Sequence, residues 1–186
     1  MRKVLSLLAI FGMVFIGGFK MAEAATTDTF QITITINFID MNLEDYLNAD
    51  YGTWAIGQVA PSSVNTMAAN GGGAGEEGIL VDNNSNVSVD IECYVGDSGS
   101  WTLGAAIGAD TYTLEAKDFA AWEVGPSPDF SSGVTQITAT ASPGNDIQTG
   151  LAANTDTYLY YRLTAPSSVS SGAQNTITVT VAATAS

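Results

Sequence analysis

An all-β sandwich is the fold that this sequence predicts, and three observations predict it. Residues 30–38 (FQITITINF) place Phe30, Ile32, Ile34, Ile36 and Phe38 at every second position, with polar residues between them. That is the period of a strand with one apolar face. Further short runs of the same kind recur along the chain, separated by clusters of Gly, Pro, Asn, Asp and Ser. No stretch carries the spacing of an amphipathic helix. Together these give about nine short strands with the turn spacing of a sandwich.

The first residues read as an address. Arg2 and Lys3 precede an almost wholly apolar stretch, residues 4–19, and Ala22, Ala24 and Ala25 offer the small residues that signal peptidase requires. A retained anchor would need about 20 apolar residues, more than this Gly-interrupted stretch supplies. The expectation is a signal peptide over 1–25, cut after Ala24 or Ala25, and a single β-sandwich domain over 26–186. The protein is then extracellular or at the cell surface, with no membrane contact after cleavage. Cleavage removes three of the five basic residues, leaving Lys117 and Arg162 against almost all of the 19 acids, a net charge of about −16. Such a surface repels phosphate backbones, which argues against nucleic acid as a partner. The lone cysteine, Cys93, follows Val87, Val89 and Ile91 at alternate positions and reads as a small buried hydrophobe. No intrachain disulfide can form, so the fold must rest on its core.

In order, residues 30–38 form the first strand, and residues 40–50 are left open between a short helix and a continued edge. Residues 53–59 (TWAIGQV) read as a strand with Trp54, Ile56 and Val59 toward the core, and residues 61–78 as a long flexible loop. Residues 79–95 read as a hairpin, turning at 82–86, with Val87, Val89, Ile91, Cys93 and Val95 inward. Strand candidates follow at 101–104, 110–116 and 119–124, then at 134–141 between breaks at Pro126, Pro128 and Gly133 and at Pro143, Gly144 and Asn145. Residues 155–163 put Leu159, Tyr161 and Leu163 on one face and Tyr158, Tyr160 and Arg162 on the other. Residues 175–183 close the fold with Ile177, Val179 and Val181 inward and threonines outward. Edges lined with Ser and Thr lack the charges that normally guard them.

The chemistry on offer is thin. Residues 96–99 (GDSG) match a serine-protease nucleophile segment, but the chain has no histidine to act as base. A single Asp97-Ser98-Gly99 could serve an aspartic protease only in a symmetric dimer. Asp82, Asn84 and Asn86 begin a calcium-loop spacing, yet Val87 stands where the loop needs glycine and Cys93 where it needs glutamate. A looser calcium site would have to recruit Glu76, Glu77 or Asp90, and an Asn/Asp-rich turn accounts for the same residues. Asn83-Asn84-Ser85 and Asn86-Val87-Ser88 match the glycosylation triplet, a short pattern common in such turns. Tyr158, Tyr160 and Arg162 form a strip that could contact a ligand, a sugar or another subunit, or else lie beneath a loop. No cofactor and no enzymatic activity are expected.

Three segments, Trp54-Ala55-Ile56-Gly57, residues 84–91 (NSNVSVDI) and the close from Leu163-Thr164-Ala165-Pro166 to Val181, resemble secreted prokaryotic immunoglobulin-like sandwiches. The layout of signal peptide, N-terminal strand and one small domain is similar to the TasA and camelysin class of biofilm-matrix fibre subunits. That resemblance implies an immunoglobulin-like (or jelly-roll) sandwich whose N-terminal strand completes the sandwich of the next subunit. The expected partner is therefore another copy of the chain, in an oligomer or filament, with Phe30, Ile32, Ile34, Ile36 and Phe38 as the donated face. A strand buried in its own domain would show the same pattern. Residues 97–103 (DSGSWTL) are similar to half of a WxL cell-wall-binding domain, whose second Trp-x-Leu is missing here. The alternative is a monomeric glycan- or cell-wall-binding module that meets polysaccharide through Tyr158, Tyr160, Trp101 or Trp122.

Overall fold

The computed structural model describes residues 31, 33, 34, 36–69, 77–96, 99–124 and 127–186. The chain divides into Met1–Thr35 and a compact unit, Ile36–Ser186. Of the first, only Gln31, Thr33 and Ile34 are described, all exposed; the expected signal peptide, Phe30 and Ile32 lie outside the described residues.

The second unit is all-β, with ten strands in two sheets and no helix among the described residues. The larger sheet holds β1 (Met41–Glu44), β2 (Val64–Thr66), β3 (Ile79–Asn83), β5 (Thr102–Leu103), β6 (Thr111–Phe119), β7 (Thr135–Ile137) and β9 (Thr157–Thr164). The smaller holds β4 (Val89–Val95), β8 (Asn145–Leu151) and β10 (Val179–Ala185), in the order β10-β4-β8. β9 is the spine of the larger sheet. It pairs with β6 along one side and with β3 and then β2 along the other, all antiparallel. β1 lies outside β3, while β7 (antiparallel) and β5 (parallel) lie outside β6.

Alternation in β4 and β9 builds the core. Val89, Ile91, Cys93 and Val95 from the smaller sheet are buried, as are Leu159, Tyr161 and Leu163 from the larger. They share one apolar cluster with Val81, Leu114, Ile137 and Leu151. At its centre the Cys93 thiol and the Tyr161 hydroxyl lie 2.9 Å apart in a hydrogen bond between sheets. Cys93 is thus the buried small residue that its alternation predicts, and Tyr161 can be dry because its polar tip has a partner.

Several expectations need correction. Residues 79–95 are not a hairpin: β3 pairs with β1 and β9, β4 with β10 and β8. Between them the chain crosses from one sheet to the other, with Asn83 donating to the Ala152 carbonyl at 2.8 Å and accepting from the Ser85 amide at 3.1 Å. Alternation shows which way a side chain faces, and is silent on which strand lies alongside. Residues 53–59 form no strand, although Trp54, Ile56 and Val59 do pack against the core. Gly57, at φ 77°, interrupts the run. The expected loop at 61–78 contains β2 and the buried Met67 and Ala69; residues 70–76 lie outside the described residues. Of 119–124 only Phe119 is in a strand, and of 134–141 only the residues of β7. Residues 40–50, left open, are β1 followed by a tight turn in which the Tyr51 amide donates to the Leu43 carbonyl at 2.9 Å.

β8 has no counterpart in the sequence reading. Its pairing with β4 slips twice, and Gly150 at φ 67° donates its amide to Asp90 at 2.7 Å. The two slips leave Thr149, between the inward residues Ile147 and Leu151, exposed where an alternating strand would bury it, which hides the period-2 signal.

Two measurements test this core. Ile91→Ala should lower unfolding free energy by about 2–5 kcal/mol, whereas Ile34→Ala in the monomer should change it by about 0.5 kcal/mol or less; equal losses in denaturant titrations would contradict the assignment. In the second, burial and then the nearby Cys93 hold the Tyr161 phenol well above its ordinary range, and burial, Glu77 and Asp45 do the same to Tyr51. Burial pushes the Cys93 thiol up to about 11, partly offset by its bond to Tyr161. An unfolded chain ionises these groups near pH 9 to 10 and the folded chain resists, so their contribution is intact below about pH 9 and is lost as pH rises further. Phenolate absorbance should therefore rise for some tyrosines only as the protein unfolds. Complete ionisation of all seven near pH 10 with the fold intact would contradict it.

Candidate functional site

The apolar N-terminal segment is not in a strand at any described position. Ile34 and Ile36 are each 78% exposed and Phe38 is 55% exposed. The polypeptide is held at the end of this stretch by residues 84–86, chiefly through the Asn86 side chain. Asn86 accepts from the Phe38 amide at 2.7 Å and donates its own amide nitrogen to the Ile36 carbonyl at 2.9 Å. Its main-chain amide also donates to the Phe38 carbonyl at 3.1 Å, and Ser85 bonds the Asp40 backbone. Residues 36–40 are thereby fixed by their backbone, and large apolar side chains are left in water.

Among the described residues β10 pairs with β4 alone, so this edge strand offers a second unfinished surface. The Gly96 amide donates to the Thr178 carbonyl at 2.8 Å and the Ser186 amide to the Ser88 carbonyl at 3.0 Å. In an antiparallel ladder bonded and non-bonded pairs alternate. The even-numbered residues therefore bond β4, and Val179, Val181, Ala183 and Ala185 turn their N–H and C=O groups to the open side. Ile177, Val179, Val181 and Ala183 face the core, yet all are only half-buried, while their neighbours on β4 are fully buried. The opposite edge, β8, buries its inward Ile147 and Leu151.

Tyr158, Tyr160 and Arg162 are brought together on one face of β9, but beneath other groups. Tyr160 is fully buried: Phe119 meets its ring edge-on at 5.2 Å and its hydroxyl accepts from the Glu123 amide at 3.0 Å. A Cβ added at Gly78 would run into the same ring, so glycine there is required by close approach. Trp122 covers Tyr158 with ring centres 4.8 Å apart. Arg162 donates to the Glu115 carboxylate at 2.6 Å and lies 4.9 Å from the Phe130 ring centre. The two tyrosines lie under the segment 119–124, the structural option that the alternation had left open, while Arg162 sits beside Glu115 and Phe130. Trp101 is half-buried and sits 6.3 Å from the Tyr112 ring, away from this strip.

The calcium-like spacing is dispersed. Asn86 holds the N-terminal segment, Asp90 accepts from Gly150 and Ser186, and Asn84 donates to Asp82 at 2.8 Å. No group of three or more metal-ligating side chains occurs among the described residues, which exclude Glu76, Asp97 and Ser98. Sequence reasoning missed the burial of Glu77. It is fully buried, and neither carboxylate oxygen has a hydrogen-bond partner among the described residues. Its backbone carbonyl accepts from the Tyr51 hydroxyl at 3.3 Å, and its backbone forms a bridge to Ala68. No pattern around residues 76–78 signals this.

Tyr160→Ala should lower stability by about 3–5 kcal/mol in a denaturant titration, as expected for a buried aromatic. An unchanged midpoint would show that Tyr160 is a surface residue available to ligand. Comparison of the chain with protein-family models, with curated proteins and with solved structures found no match in any of the three.

Proposed function

We propose that the protein is an exported, non-enzymatic structural subunit of an extracellular or cell-surface fibre or matrix, assembling by β-strand addition of its N-terminal strand. The observation that carries this reading is the exposure of Ile34, Ile36 and Phe38 beside a well-buried core. In strand addition, main-chain hydrogen bonds form a generic ladder and alternate side chains fill successive pockets. Burying Phe30, Ile32, Ile34, Ile36 and Phe38 at about 1.5–3 kcal/mol each gives a gross gain near 10 kcal/mol before ordering entropy is subtracted. A head-to-tail contact of this kind that does not close into a ring yields a filament. An immunoglobulin-like arrangement of the two sheets, as in TasA- and camelysin-type subunits, belongs to the same proposal and is supported by the predominantly antiparallel pairing around a shared core.

The glycan-binding alternative draws less support, because Tyr160 is enclosed and Trp122 already stacks on Tyr158. Two shallow depressions, of about 350 Å³ beside Trp54 and Ile56 and about 600 Å³ beside Glu115 and Arg162, are open to solvent.

Electron microscopy and size-exclusion chromatography of residues 26–186, beside the same protein lacking residues 26–38, test the proposal. Filaments or large oligomers are expected from the longer protein and monomers from the shorter. Monomers of equal stability in both samples would overturn the reading.

A further inference from the structure

We infer that the acceptor for the N-terminal strand is the open edge of β10 in a second copy of this chain, with Ile34 of one copy opposite Val181 of the other. The inference rests on the strand-addition reading and adds where the strand goes. Three observations carry it. The odd-numbered residues of β10 present their backbone groups to the open side, as the parity of the Gly96–Thr178 and Ser186–Ser88 bonds requires. Of these, Val179, Val181 and Ala183, with Ile177, carry the apolar side chains that the core leaves half-covered, while β8 at the other edge of the sheet has its inward pair buried. A strand laid beside β10 would cover both deficits at once.

The occupant is matched in kind. Residues 177–185 (ITVTVAATA) and 30–38 (FQITITINF) are runs of equal length, both without charge in a strongly acidic protein. Neither carries the lysine, glutamate or proline that guards an edge against pairing. Aligning the centres of the two runs puts Ile34 beside Val181, and a parallel alignment uses the odd-numbered peptide groups of the donor, leaving those of Ile36 and Phe38 to Asn86. The Asn86 bonds hold Ile36 and Phe38 of the donor by their backbone and leave their side chains exposed. A second copy is therefore offered the exposed side chains of Ile36 and Phe38 beside a backbone that is already held.

Disulfide trapping tests the inference, since facing residues on neighbouring strands have Cα atoms about 4.5–5.5 Å apart, within bridging range. Ile34→Cys protein, residues 26–186, is mixed under mild oxidation with size-tagged Val181→Cys protein, and separately with Thr149→Cys protein, whose exposed cysteine lies on the β8 edge. Buried Cys93 is left in place. The inference expects a bridge between unlike chains with Val181→Cys in about tenfold excess over Thr149→Cys. Preferential bridging to Thr149→Cys would overturn the β10 assignment and leave strand addition standing. An intrachain bridge in a single protein carrying both Ile34→Cys and Val181→Cys, with no bridge between chains, would overturn it in favour of closure at home. No bridge in any mixture, with monomers throughout, would remove both the assignment and the reading beneath it. Circular dichroism of each variant confirms that a missing bridge is not a missing fold.

Discussion

The parity of β10 is the constraint on which the functional account depends. Once Thr178 and Ser186 are bonded to β4, geometry leaves Val179, Val181, Ala183 and Ala185 with their peptide groups aimed away from the sheet. The side chains of Val179, Val181 and Ala183 simultaneously face a core that covers them only in part. Water can satisfy the peptide groups and does nothing for the side chains. The surface that would satisfy both is a strand, and before its first strand the chain carries an alternating apolar stretch in which Ile34, Ile36 and Phe38 are exposed.

Between the two sheets the core is well closed. β4 and β9 hold the two sheets together with side chains that are almost completely dry, and the Cys93–Tyr161 bond satisfies the polar groups where the sheets meet. Packing of this kind stabilises a domain that has no disulfide to rely on. Glu77 works against it, since its buried carboxyl group has no hydrogen-bond partner among the described residues, a costly arrangement. It lies among Tyr51, Gly78 and Tyr160, at the end of the segment 70–76, which contributes no described residue.

The strands with regular alternation were legible, and their neighbours were not. Val89, Ile91, Cys93 and Val95, like Leu159, Tyr161 and Leu163, face inward as their spacing indicates, because a pleated strand has no other way to bury one face. The same alternation suggested a hairpin for residues 79–95, and it failed there because pairing is decided by long-range contacts between β3 and β9 and between β4 and β10. β8 escaped because a bulge at Gly150 breaks the period. Of the candidate site, the apolar face of residues 30–38 was readable from its spacing, whereas the open edge at β10 was not. Ile177, Val179 and Val181 look like any inward-facing set until the cover over each is measured. The tyrosine strip was readable as a strip, and its cover by Phe119 and Trp122 came from residues that had been expected to form a separate strand.

Hydrogen exchange at the amides of β10 tests the central claim most directly, because it reads the two sides of one strand separately. In monomer lacking residues 26–38, Thr180, Ala182 and Thr184 should be protected by β4 while Val179, Val181 and Ala183 exchange freely. In the assembled protein, the odd-numbered amides should become protected as well. Protection of the odd-numbered amides in that truncated monomer, or their free exchange in the assembly, would contradict the account.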